Sequence, residues 1–258
     1  MRLPKASFFA LTTAFICMLC ASPRALADVV QVAVAANFVA PLKALASAFE
    51  KETGHTVSAS SGATAKLYAQ IKNGAPIDVF LSADKETPER LQREGQGVAG
   101  TRFTYAVGRL ALWSASASLV DAKGDVLKNG NFSKIALASP KAAPYGEAAV
   151  QAMGKLGLLS ALTPKFVMGE SIGQTFSFVA SGNAELGFVA LSQTMENGKL
   201  KSGSMWLVPA TLHDPLVQEA VLLARANARA PAMAFLAFLK TDSARRVIRS
   251  FGYETLAL

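Results

Sequence analysis

The chain has 258 residues, of which 51% are hydrophobic and 17% charged, so it is no disordered polyelectrolyte and can fill one large domain or two modest lobes. Lys and Arg number 26 against 18 Asp and Glu, a net charge of +8. The two cysteines, Cys17 and Cys20, stand in the first twenty residues, and the two histidines, His55 and His213, lie far apart, which excludes zinc-knuckle, multi-disulfide and histidine-rich metal scaffolds.

Arg2 and Lys5 precede the apolar run Ser7 to Leu19, and Ala25-Leu26-Ala27 forms a small-x-small site before Asp28. This three-part pattern predicts a secretory signal peptide over residues 1–27, with an apolar run short for a membrane span. Bulky Leu19 argues against lipoprotein processing at Cys20. Removing Arg2, Lys5 and Arg24 leaves a mature charge of 23 − 18 = +5. That charge is spread out, with no basic run longer than a pair such as Arg245-Arg246, so nucleic-acid binding is not expected. A mild positive field instead favours small anions.

Val29 to Ala36 predicts a buried strand, and Pro41, Leu42, Leu45, Ala46 and Phe49 predict a helix after the turn at Asn37. Val57 to Ala59 predicts a second strand, followed by the loop Ser60 to Thr64 and a helix through Leu67, Tyr68 and Ile71. Ile77 to Leu81 is a third strand, followed by a charged helix over Glu86 to Glu94. Extended segments follow at Phe103 to Val107 and Leu110 to Trp113. Next come a strand at Ile135 to Ala138, a loop from Ser139 to Gly146 and a helix from Ala148 to Leu156. Phe166 to Met168, the loop Gly169 to Gly173 and a helix from Thr175 to Ala180 repeat the unit. Leu186 to Leu191 and Val217 to Leu223 are further strands, and two short helices fill Ala232 to Ser250. Repeated β-loop-α units predict an α/β fold with helices on both sheet faces.

Four loops place small or hydroxyl residues between a strand and a helix: Ala36-Asn37-Phe38, Gly62-Ala63-Thr64-Ala65, Ala143-Pro144-Tyr145-Gly146 and Ser171-Ile172-Gly173. Ligands of open α/β sheets sit at the carboxyl ends of strands, and a helix N-terminus offers unpaired N–H groups to an anion. Singly, each loop is also an ordinary cap or turn. Together they predict a cleft closed from two sides, with Thr64 and Asn37 as side-chain donors.

The segments Val34-Ala35-Ala36-Asn37-Phe38, Ser61 to Ile71 (SGATAKLYAQI), Gly74 to Asp84 (GAPIDVFLSAD) and Gly187 to Gln193 (GFVALSQ) closely resemble the periplasmic molybdate-binding proteins of molybdate ABC transporters. The resemblance spans the mature chain and implies a two-lobed, type II periplasmic-binding-protein fold, each lobe a mixed, mainly parallel sheet flanked by helices. The order of elements along the chain divides it into lobe one at 28–105 plus 213–258 and lobe two at 106–212, joined by extended crossings near 103–112 and 205–215. The resemblance also implies oxyanion contacts from Asn37 and Thr64, backbone N–H donors at Tyr145 and Ile172, molybdate or tungstate as ligand, no cofactor, and a membrane permease as partner. A position that in relatives often carries a tyrosine hydroxyl falls on Ala190, and Ala63 and Ala65 stand where Ser or Gly is common. Thr64 is therefore that loop's one hydroxyl.

A fully deprotonated oxyanion needs donors only, whereas phosphate near neutral pH carries a proton and welcomes an acceptor. Lys66, Lys141 and Glu170 lie beside the loops and are expected in solvent; an inward Lys141 would make a less selective receptor for sulfate or phosphate. A rival enzyme reading rests on Gly169-Glu170-Ser171-Ile172-Gly173, a G-x-S-x-G match that would make a secreted serine esterase of Ser171, with His213 as base and Glu185 or Glu196 as acid. His213-Asp214-Pro215, however, reads as a turn. Tyr105, Trp113, Tyr145 and Trp206 could stack on a sugar but are scattered as core residues are. No exposed apolar face is evident in the pattern, so a monomer is expected.

Overall fold

The computed structural model describes residues 28–130, 132–196 and 198–255. The signal peptide expected over 1–27 lies outside the described residues. Alternating Val and Ala make β1 (Val29–Ala35), and a single 3-10 turn at Ala36–Phe38 leads into α1 (Val39–Thr53). Then follow β2 (Thr56–Gly62), α2 (Thr64–Lys72), β3 (Val79–Leu81), α3 (Glu86–Arg93) and β4 (Phe103–Gly108). One residue later β5 (Leu110–Ser114) starts a second body with α4 (Val126–Asn129), β6 (Ile135–Ala138), α5 (Pro144–Lys155) and α6 (Leu159–Leu162). It continues through β7 (Phe166–Gly169), α7 (Ile172–Ala180), β8 (Leu186–Ala190), α8 (Leu191–Thr194), the small hairpin β9 (Met195–Glu196) and β10 (Lys199–Leu200), and β11 (Ser204–Leu207). The chain then returns through β12 (Leu216–Leu222) and ends in α9 (Ala230–Phe238) and α10 (Asp242–Ser250).

Two five-stranded sheets result, ordered β2-β1-β3-β12-β4 and β11-β5-β8-β6-β7. In each, half the pairings are parallel and half antiparallel: β1 runs parallel to β2 and β3 while β12 opposes β3 and β4, and β6 runs parallel to β7 and β8 while β5 opposes β8 and β11. The antiparallel strands are the ones that enter or leave a body, because a chain crossing over and back must reverse. Helices cover both faces of the first sheet, giving one core around Phe38, Phe49 and Phe235 and another around Leu67, Phe80 and Leu91. The larger core of the second body, around Leu112, Ile135 and Phe188, takes in Ala35, Ala63 and Ala83 from the first. The two bodies are therefore closed on one another. Among the described residues no helix is long and apolar enough to cross a membrane.

Several helices begin earlier than the pattern predicts. Ala148 was the expected start of α5, but it begins at Pro144, whose preset φ and missing N–H suit the first helical position. Instead of Thr175, α7 begins at Ile172, because the Ser171 side chain accepts from the Gln174 N–H and caps the helix. Likewise α1 begins at Val39, ahead of Pro41. The consequence is that Tyr145 and Ile172 lie in first helical turns.

Candidate functional site

The carboxyl ends of four parallel strands converge. Asn37 follows β1, Thr64 opens α2 after β2, Tyr145 is the second residue of α5 after β6, and Ile172 opens α7 after β7. These four residues, with Gly62, Ala63 and a few Ala and Pro neighbours, line one small cavity of about 10 Å³ between the bodies. All four sequence-predicted site residues are thus brought together. No Lys, Arg, Asp or Glu is in the lining. A wider groove nearby carries Asp84, Glu86, Glu147 and Asp214 beside a single Lys85, a field that repels anions.

Small apolar residues make up most of the lining, and free hydrogen-bond donors enter it at a few points. Thr64 is buried, and its Oγ1 accepts from the Ala83 N–H at 3.4 Å, which leaves its own hydrogen free to donate. The N–H groups of Tyr145 and Ile172 belong to first turns, where no carbonyl lies four residues back to receive them, and the helix dipole adds partial positive charge. Backbone packs tightly here: a Cβ on Gly146 would meet the Ala138 carbonyl, and one on Gly173 would sit 3.3 Å from the Ala36 Cβ of the other body. Two backbone bonds join the bodies directly: Ala65 N–H to the Ala142 carbonyl at 3.2 Å, beside the cavity, and Gly198 N–H to the Ser250 carbonyl at 3.1 Å.

Behind the cavity lies a buried polar network that the sequence analysis did not find. Asn37, 2% exposed, donates through Nδ2 to Gln218 Oε1 at 2.8 Å and to the Tyr253 hydroxyl at 2.9 Å, while its Oδ1 is buried without a partner. The hydroxyls of Ser192 and Tyr253 donate to the Asn37 carbonyl at 2.8 and 2.9 Å. Tyr105 lies within donating distance of the Ser82 carbonyl (2.9 Å) and Gln218 Oε1 (3.0 Å), and Gln218 Nε2 donates to the Tyr145 hydroxyl at 3.1 Å. Burial raises the Tyr253 phenol to about 12 and those of Tyr105 and Tyr145 well above the usual tyrosine value, so all three stay protonated at neutral pH. A signal did exist: Gln218 alternates with Leu216 and Ala220, a lone amide on the otherwise apolar inward face of β12.

The remaining candidates stand apart from the cavity lining. Lys66 and Glu170 face solvent, but toward each other across the cleft at 2.6 Å, and the ammonium holds the Glu170 carboxyl below the usual range. Lys141 is exposed. Ser171 is a helix cap, the His213 Nδ1 sits 2.7 Å from the Asp214 carbonyl, and the Glu185 carboxylate accepts from the Ser133 and Lys134 N–H groups. The G-x-S-x-G match is a helix start, with Ser171, His213 and Glu185 each engaged elsewhere. Trp113 stacks on Phe176, and Ala190 is buried with its N–H on Gln193 Oε1.

Residues 30–254 match the family model described as bacterial extracellular solute-binding protein. The chain is 55% identical over 224 residues to the molybdate-binding protein ModA of Azotobacter vinelandii, covering 87% of this chain and 89% of that one. It is 49% identical over 235 residues to ModA of Rhodobacter capsulatus, covering 91% of each. The solved Azotobacter vinelandii periplasmic molybdate-binding protein superposes with a TM-score of 0.86 at 44% identity, over 88% of this chain and all of that structure. With the four donor loops and the two-body fold in place, these likenesses identify the chain as a member of the bacterial extracellular solute-binding proteins, in the family of the molybdate-binding protein ModA.

Proposed function

We propose that this protein captures molybdate in the periplasm and presents it to the membrane permease of an ABC transporter. The observation that carries the proposal is the small cavity between two α/β bodies, where Thr64 and the starts of α5 and α7 meet and no charged side chain enters the lining. Neutral donors suit a dianion that carries no proton and needs no acceptor. In this reading Asn37 and Thr64 donate from one lobe, and the Tyr145 and Ile172 N–H groups from the other. Tungstate, of the same charge and shape, fits equally. The hinge lies at the two crossings, β4 to β5 and β11 to β12, and contacts from both lobes favour the shut state. No catalytic step is ascribed to the site, and a monomer suffices for it.

The test is calorimetry and thermal shift with molybdate, tungstate, sulfate and hydrogen phosphate on the unaltered protein and on Thr64→Val. Molybdate and tungstate should bind and raise the melting temperature with concentration, sulfate and phosphate far less. Thr64→Val removes one hydrogen bond to a charged group, a loss of about 1.5–3 kcal/mol, while Thr64→Ser retains it. Equal shifts from sulfate and molybdate would refute the selectivity, and unchanged affinity in Thr64→Val would remove that residue from the site.

A further inference from the structure

Gln218 does not line the cavity, yet it holds the residue that does. Its strand, β12, is the returning crossing between the bodies, and the register with β4 shifts between Gln218 and Glu219. The extra residue is Tyr105 of β4, whereas β12 keeps its alternation, so the Gln218 amide points into the apolar interior on the same face as Leu216 and Ala220, with the residue 0% exposed. Gly108, opposite Leu216 in the neighbouring strand, has no room for a side chain: a Cβ there would lie 2.6 Å from Gln218 Nε2 and closer still to the Tyr145 hydroxyl. The surroundings hold the amide in place without fixing which of its two ends faces Asn37.

In the arrangement described, both Asn37 Nδ2 hydrogens go to Gln218 and Tyr253, neither of which lines the cavity. The side-chain polar atom of Asn37 left over is the unpartnered Oδ1, an acceptor. An acceptor there could meet water or a protonated oxyanion but would repel a bare dianion. Turning an amide by 180° exchanges its oxygen and nitrogen with almost no change of shape. Gln218 can turn with Asn37. Its Nε2 then donates to Asn37 Oδ1 and the Tyr105 hydroxyl, the latter passes its hydrogen to the Ser82 carbonyl, and Gln218 Oε1 accepts from Tyr145. Tyr253 donates to Asn37 Oδ1, and Ser192 keeps the Asn37 carbonyl. Every group is satisfied across the same separations of 2.8–3.1 Å, except one: Asn37 Nδ2, whose hydrogens now face the cavity.

Resting on the oxyanion-binding function proposed above, we infer that Gln218 is a positioning residue that sets the polarity of the pocket, turning together with Asn37 when a deprotonated oxyanion binds so that Asn37 presents its N–H rather than its oxygen. Selectivity against protonated oxyanions thus resides in a residue that never touches them.

A carboxylate at this position can only accept. Gln218→Glu, once ionised, binds Asn37 Nδ2 and fixes Oδ1 toward the cavity. The groups packed around it are the amide of Asn37 and the phenols of Tyr105, Tyr145 and Tyr253, none of which ionises below pH 10; the next residue, Glu219, is paired with Arg102. Molybdate and hydrogen arsenate affinities should be measured by calorimetry for both proteins from about pH 6 to about pH 9.5. Relative to the unaltered protein at the same pH, the molybdate-to-arsenate ratio of Gln218→Glu should fall by about 100-fold as the carboxyl ionises, since one charged-acceptor bond is lost and a repulsion gained. Parallel loss of both anions, or no change in ratio anywhere in that range, overturns the inference. Because this variant puts a carboxyl in the interior, a second measurement uses the unaltered chain: with Asn and Gln side-chain amides labelled, molybdate should move the Gln218 signal as well as that of Asn37. A Gln218 signal that stays put overturns the coupled turn. Failure of molybdate to bind the unaltered protein would instead defeat the proposed function itself, and the inference with it.

Discussion

Gly146 tests the idea that a helix start delivers an N–H to the anion. It is the third residue of α5, next to Tyr145, and a Cβ added there would lie 2.7 Å from the Ala138 carbonyl carbon and nearer still to the oxygen. Ordinary contact begins near 3.4 Å, so in Gly146→Ala the helix start must withdraw from the end of β6 by about 0.7 Å or more. A hydrogen bond stretched by that amount leaves the 2.7–3.2 Å window, and losing one bond to a charged acceptor costs about 1.5–3 kcal/mol, which is about 10- to 100-fold in affinity. Overpacking should also lower stability by about 1–3 kcal/mol. Gly154, in the same helix, provides the control, since nothing lies within 4 Å of a Cβ there. Gly154→Ala should keep full affinity and gain about 0.5–1 kcal/mol in stability from helix propensity. Molybdate titration calorimetry together with urea unfolding reads both quantities. The reasoning fails if folded Gly146→Ala binds as tightly as the unaltered protein, or if Gly154→Ala loses as much.

Two further outcomes follow from the electrostatics. Removing the cross-cleft pair with Lys66→Ala should weaken binding only a few-fold, because both partners are exposed, and the effect should fade in high salt. Since Lys66 lowers the Glu170 carboxyl, the clasp is present above the ordinary glutamate range and is lost as pH falls through the lowered value, so the two proteins should converge in acid; a salt-insensitive loss greater than about tenfold would place Lys66 on the ligand. At the alkaline end, burial raises the Tyr253 phenol from 10.0 to about 12, so its contribution is complete below pH 10 and is lost as pH climbs through 12. Tyr253→Phe should therefore unfold less steeply between pH 10 and 12, by about 2 kcal/mol over that interval, and an unchanged slope in urea midpoints would contradict its burial in the neutral form.

What the sequence determines is local and periodic. Valine-rich runs, amphipathic spacing and small residues at turns mark the longer strands and helices between Val29 and Ser250, though not the short α4, α6 and α8 or the β9–β10 hairpin, and the same turn chemistry marks Asn37, Thr64, Tyr145 and Ile172, because caps, turns and anion loops draw on the same few residue types. Helix starts were less legible: proline at Pro144 and the cap at Ser171 act only once the chain has chosen which neighbouring carbonyls and amides to pair. The tertiary structure decided the rest. Nothing local to Gln218 says that its inward amide will meet Asn37, 181 positions away along the chain, with the phenols of Tyr105, Tyr145 and Tyr253 around them. Nor does the sequence say that Lys66 and Glu170 will meet across the cleft. Those partners are selected by burial, which gives every polar group shut away from water a choice between a long-range partner and a large penalty, and that choice exists only when the two bodies have closed.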